Sequence, residues 1–173
     1  KPALSYSDPV KAYAGYRASD IGGAYDTLVV TTDQLYNQFN YGETSPVAIY
    51  EFMNFMVGKG QPLYLFLIGK GRDVTAGFHR IVNPSISVAK DLVPSAGYPG
   101  SDMNYTAGLG GTAYEPAVPT GRLSATKPEE VANYLNKIQK NIAKELFLKG
   151  NKNLLKLIKD DFVDEINKYY FKK

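Results

Sequence analysis

The residues that could do chemistry in this chain are few, and most of them sit beside glycine-rich turns. The acids worth weighing are Asp73, Asp91, Asp102 and Glu115, and the cation is Arg122, which follows Gly121 directly. There is one histidine, His79, and no cysteine. Cysteine catalysis needs a thiolate and an adjacent base, so these residues hold no such pair. The lone histidine makes no histidine cluster, and its expected role is structural. Ser101-Asp102 fits either an Asx-type turn or part of a calcium site. The turn is the expected reading, because no D-x-D-x-D-G ligand spacing accompanies it. No cofactor is therefore expected. Arg122 either pairs with a loop carboxylate as a strut or faces a ligand, and the strut is the expectation.

The element that positions these residues is Tyr64-Leu65-Phe66-Leu67-Ile68, followed at once by Gly69-Lys70-Gly71. Five apolar residues without polar alternation predict a strand buried on both faces, the central strand of an α/β sheet. Ligand sites in open α/β sheets collect beyond the carboxyl ends of such strands, which draws attention to Gly69 and Gly71. The G-x-G is a tight turn rather than a dinucleotide fingerprint, since the third glycine and a following helix pattern are missing.

The remaining elements follow from local signals. Asp8-Pro9 caps a short helix that ends at Gly22-Gly23. The β-branched run Thr27 to Thr32 predicts a first strand, with Leu28–Thr31 beside the central one. Asp33 to Phe39 reads as a cap and one or two helical turns. Ser45-Pro46 opens a helix with Ile49, Phe52, Met53 and Met56 on one face. Leu92-Val93 predicts a short strand, and Ser95 to Thr120 an irregular loop rich in glycine, proline and tyrosine. Thr126 and Glu129 have capping-box spacing ahead of a helix lined by Val131, Leu135, Ile138 and Ile142. After Gly150 a last amphipathic helix would turn Leu155, Ile158, Phe162, Ile166 and Tyr169 inward. The expected domains are residues 1–150, an α/β subdomain, and 151–173, a Lys-rich amphipathic segment.

Composition excludes several classes. The 173 residues can bury a sizeable core, and 44% are apolar. No apolar run reaches the roughly 18 residues that a membrane helix needs. A net charge of +3 is too small to imply nucleic acid. The ten lysines against five acids between Lys137 and Lys173 read as a solvated face.

Taken together, several of these stretches resemble one known family. The segment Tyr64 to Gly71, Val93-Pro94, Ser101-Asp102 with Tyr105, Pro119-Thr120-Gly121-Arg122-Leu123-Ser124 and the Pro-Glu-Glu-Val helix running to Ile138 resemble the gingipain family of cysteine peptidases. The likeness is to the branch of surface peptidases of the type IX secretion pathway in Bacteroidetes, and it spans roughly residues 25–139. It implies a caspase-like α/β fold: a mainly parallel sheet flanked by helices. It also implies an exported protein, secreted or at the cell surface, whose partners are proteins or peptides. In that family this region is the part of the catalytic domain before the nucleophile; the Gly-His-Gly histidine and the cysteine come later in the chain. Neither motif is present here. The family's assisting acid falls at Ala117, with Glu115 two residues earlier as the nearest substitute. The segment Asn153 to Leu157 matches the place of a further strand in the family. Two functions follow: a peptidase fragment inert by itself, or a non-catalytic scaffold of the secretion machinery.

Overall fold

Buried aliphatic and aromatic side chains of two helices gather on a short parallel ladder in the computed structural model, which describes residues 4, 7–60, 62–72 and 91–148. The contacts divide the chain into two units: Lys1–Ser7 with Val29–Pro128, and Asp8–Leu28 with Glu129–Lys173.

In the first unit, Thr31 caps helix α2 (Thr32–Phe39). Its hydroxyl accepts the Gln34 N–H, and Gln34 returns the bond to the Thr31 backbone, a complete capping box. Helix α3 (Pro46–Lys59) starts from the Ser45 cap with proline at its first position. Ala48, Ile49 and Met53 supply its buried face, and Phe39 meets Phe52 edge-on at 5.8 Å between the two helices. Strand β1 (Leu65–Ile68) pairs in parallel with β2 (Thr120–Leu123), with Leu65 opposite Thr120 and Leu67 opposite Arg122. Leu35, Tyr36, Ala48, Ile49, Leu67, Val93 and Tyr105 form the core that joins α2, α3 and β1. A smaller cluster of Met53, Leu109 and Val118 ties α3 to the loop ahead of β2. The architecture is α/β.

Three expectations are corrected. The run 27–31 forms no strand; it is extended chain leading into the Thr31 cap, and Leu28 is 63% exposed. The partner of β1 is instead Thr120–Leu123. A Thr-Gly-Arg-Leu sequence carries no alternation, and what makes it a strand is the ladder to β1. Burial on both faces of β1 is not met either. Leu67 is buried, its three neighbours in the strand are half-buried, and Tyr64 lies outside the strand, 60% exposed. Leu92-Val93 is a bend rather than a strand, because both N–H groups converge on the single Lys70 carbonyl, at 2.8 and 3.3 Å.

The second unit contains α1 (Asp8–Ala18) and α4 (Pro128–Leu148). Tyr13 of α1 and Tyr134 of α4 stack tilted at 5.9 Å. Val131, Leu135 and Ala143 form the buried stripe of α4, while Glu129 and Glu130 sit in its first turn, where the helix dipole favours acids. After Ala18 the chain turns back so that the Tyr25 N–H reaches the Arg17 carbonyl, and the Arg17 guanidinium lies over the Tyr25 ring at 4.5 Å. Asp73, His79, the strand reading at 153–157, the last amphipathic helix and the whole 151–173 segment lie outside the described residues.

Candidate functional site

Three of the polar residues singled out by sequence, Asp91, Asp102 and Arg122, converge where β1 and β2 end. Arg122 lies in β2, and its guanidinium reaches across the carboxyl end of β1. Its Nε donates to Asp102 Oδ2 at 2.7 Å and its Nη2 to Asp102 Oδ1 at 2.6 Å, a two-pronged ion pair. Nη1 donates to the carbonyls of Gly69 and Val93, each at 2.8 Å, and Nη2 approaches the Pro94 carbonyl at 3.4 Å. One side chain thus joins the end of β1, the incoming 93–94 segment and the loop between the strands. Only 11% of the Arg122 side chain is exposed. Burial alone would lower its pKa, but the Asp102 hydrogen bonds and charge outweigh that and hold Arg122 above its ordinary value. Arg122 is a strut.

The G-x-G turn after β1 follows from this clamp. Gly69 has φ +148°, a region that side chains avoid, and a Cβ there would lie 2.8 Å from Val93. At Gly71 the constraint is space: a Cβ would stand 2.6 Å from the Val93 carbonyl and 2.9 Å from Arg122 Nη1. The glycines let the chain pass under the guanidinium, and the signal first read as a turn is a close approach. Asp91, buried beside it, accepts the Arg72 N–H at 3.1 Å and fixes the far side of the same turn.

Asp102 is placed by local rules. Ser101 caps a single 3-10 turn, Asp102–Tyr105, by accepting the Met103 N–H through its hydroxyl. That turn drops Tyr105 into the core, fully buried, with its hydroxyl donating to the Pro94 carbonyl. Burial pushes the phenol pKa well above its ordinary value near 10. The rest of the loop is tied to itself. Thr106 donates to the Val118 carbonyl at 2.9 Å, Ala117 donates to Thr106, and Ala107 bridges Pro116. The irregular 95–120 stretch is therefore anchored by Tyr105, Thr106 and Asp102.

Other candidates do not join them. Glu115 is exposed, with its carboxylate held below its ordinary pKa by its own backbone N–H and that of Tyr114. It makes no bond to Arg122. Tyr98 and Tyr114, two of the tyrosines of the irregular loop, are 81% and 89% exposed, because their chain neighbours are themselves in solvent. An apolar surface lies at the amino ends of the two strands. There Val57, Pro62, Leu63, Ala117, Val118 and Pro119 line a cleft of about 330 Å³. Among the described residues, no group of three or more His, Cys, Asp or Glu side chains is placed to hold a metal ion. Thr106 was missed by sequence reasoning. A threonine in an irregular loop carries no periodic signal, and only its carbonyl partners mark it.

The arrangement can hold a loop rigidly across the strand ends. It contains no thiol, and its Asp102 carboxylate and Tyr105 hydroxyl are bonded to Arg122 and to the Pro94 carbonyl. In comparisons with known proteins, residues 2–169 match the family model described as Peptidase family C25. Comparisons with curated proteins and with solved structures gave no match.

Proposed function

The chain belongs to peptidase family C25, the gingipain family of cysteine peptidases, and from that membership we propose that it is a scaffold part of a peptidase domain and inert by itself. The observation that carries this is chemical. A family match over residues 2–169 encloses no cysteine and a single histidine, so covalent thiol catalysis has no nucleophile within these residues. The catalytic dyad would then be supplied by polypeptide outside them, and the Arg122–Asp102 strut would give that part a fixed surface to meet. Export to the cell surface through the type IX pathway of Bacteroidetes belongs to this proposal, as does a protein or peptide partner.

One observation favours a second reading, a non-catalytic scaffold in the secretion machinery. Asp102 and Arg122, the charged pair at the strand ends, are bonded to each other rather than left free to work on a substrate. The reading frame downstream of Lys173 separates the two. A Gly-His-Gly followed by a cysteine in the same frame supports the peptidase part. A stop codon directly after Lys173 overturns it in favour of the scaffold. Among the described residues no helix is long and apolar enough to cross a membrane.

A further inference from the structure

Beyond Gly69 the chain runs extended against the 92–95 segment. The Lys70 carbonyl accepts the Leu92 and Val93 N–H groups at 2.8 and 3.3 Å, and the Arg72 carbonyl accepts the Ser95 N–H at 3.3 Å. Two carbonyls, two residues apart, thus face one neighbouring segment, which is the alternation of a strand. In that alternation the side chains of Lys70 and Arg72 share one face and Gly71 takes the other. The face of Gly71 is filled: a Cβ there would stand 2.6 Å from the Val93 carbonyl and 2.9 Å from Arg122 Nη1. Lys70 and Arg72 are therefore turned away from the Arg122 clamp.

Lys70 is exposed and Arg72 is half-buried. Among the described residues neither side chain has a hydrogen bond or an ion pair. Other cations are engaged: Arg122 with Asp102, Arg17 over the Tyr25 ring, Lys11 beside Asp8. The backbone that carries the free pair is tied down. The Lys70 N–H donates to the Ala125 carbonyl at 2.9 Å and the Arg72 N–H to the buried Asp91 carboxylate at 3.1 Å. Two uncompensated positive charges are thus held on a fixed turn at the carboxyl end of β1, where open α/β sheets place their ligand sites.

We propose that Lys70 and Arg72 form a docking site for an acidic segment of a partner polypeptide, which pairs carboxylates on alternate residues with the two cations. Charge complementarity and spacing define the occupant. Residues two apart on an extended chain repeat at about 6.6 Å, so an extended peptide with Asp or Glu at every second position matches the pair. Recognition is by side chains, because the carbonyls of Lys70 and Arg72 are already bonded within the chain. Arg72 supplies the planar fork that takes a carboxylate in two-pronged fashion, and Lys70 a point charge. Asp91 is the positioning residue, since its bond to the Arg72 N–H fixes where that side chain starts. Two cations on a chain of net charge +3 are few for a phosphate backbone, which is ordinarily held by a longer basic track with stacked aromatics. This inference names the chemistry of the partner proposed above, but it rests on the turn and stands whether or not a catalytic dyad is supplied elsewhere.

The test is an NMR titration of the full chain with a capped peptide of alternating threonine and glutamate, at low salt. The controls are the same peptide with glutamine for glutamate and an oligothymidylate of equal charge. The acidic peptide is expected to move the amide signals of Lys70, Gly71 and Arg72 with Kd in about the millimolar range, as two solvent-facing ion pairs allow. Binding weakens about tenfold or more in about 1 M salt, where the screening length falls to about 3 Å. The double variant Lys70→Gln, Arg72→Gln weakens it about tenfold, with an unchanged urea midpoint showing that the fold is kept. Lys59→Gln, at the exposed end of α3 ahead of β1, leaves it unchanged. An acidic peptide that moves none of the three signals, or a glutamine peptide that moves them equally, would overturn the proposal. So would equal losses in Lys59→Gln and the double variant, which would mean general charge attraction. An oligothymidylate that binds the same residues more tightly would overturn the polypeptide partner in favour of nucleic acid.

Discussion

At the residue scale, the chain's few charged groups near the strand ends are used to hold it together. Arg122 spends its donors on Asp102 and three carbonyls, with its side chain only 11% exposed. Removing one partner of a buried pair leaves the other charge unpaired, which costs about 3–5 kcal/mol. We expect Arg122→Ala to lose stability in that range by urea denaturation. Arg122→Lys should recover only a minor part, because an ammonium cannot form the two-pronged bond to Asp102 or reach both the Gly69 and Val93 carbonyls. A loss below about 1 kcal/mol in Arg122→Ala, the level of an exposed pair, would show that the strut is not buried in solution. Tyr105 adds a dependence on pH. Burial raises its folded pKa above the ordinary value near 10, so below about pH 10 both states keep the proton and the full stability is present. Above that the unfolded phenol ionises first, and stability falls as pH rises. Tyr105→Phe should show a shallower fall in urea midpoint between about pH 8 and about pH 10.5 than the unaltered protein. Some slope should remain from Tyr13 and Tyr16, whose pKa values burial also raises. Equal slopes in the two proteins would remove Tyr105 as a source.

At the scale of elements, helices were legible and strand pairing was not. Capping residues and buried stripes are local, so Ser45-Pro46 and the Ile49–Met53 face marked α3, and Val131 and Leu135 marked α4. The partner of β1 is set by contacts more than fifty residues away. Leu28 to Thr31 had the better strand composition, yet Thr120–Leu123 took the place, because composition scores a segment and the ladder is a property of two. The G-x-G and the Gly-Arg pair were each visible, but not that Gly71 passes against the Arg122 guanidinium. One comparison tests the packing of β1 directly. Leu67→Ala, at a site 6% exposed in the core, should cost about 2–5 kcal/mol. Leu28→Ala, at a residue 63% exposed, should stay within about 0.5 kcal/mol. Similar losses for the two would mean that 27–31 is packed as a strand after all.

At the scale of the whole molecule, the family match over residues 2–169 stands beside a sequence that contains no cysteine. Membership in peptidase family C25 carries the expectation of thiol catalysis, and a chain without cysteine has no thiolate to attack a carbonyl. What the structure does provide is a short ladder whose carboxyl end is clamped by Arg122 and roofed by an anchored loop. The most direct test is a hydrolysis assay on the purified chain with peptide substrates carrying arginine, lysine or a small residue at the cleaved bond, run beside a buffer blank. The account predicts rates indistinguishable from the blank, unchanged by a thiol-alkylating inhibitor. Turnover above the blank that copurifies with the chain and is lost in Arg122→Ala would contradict it.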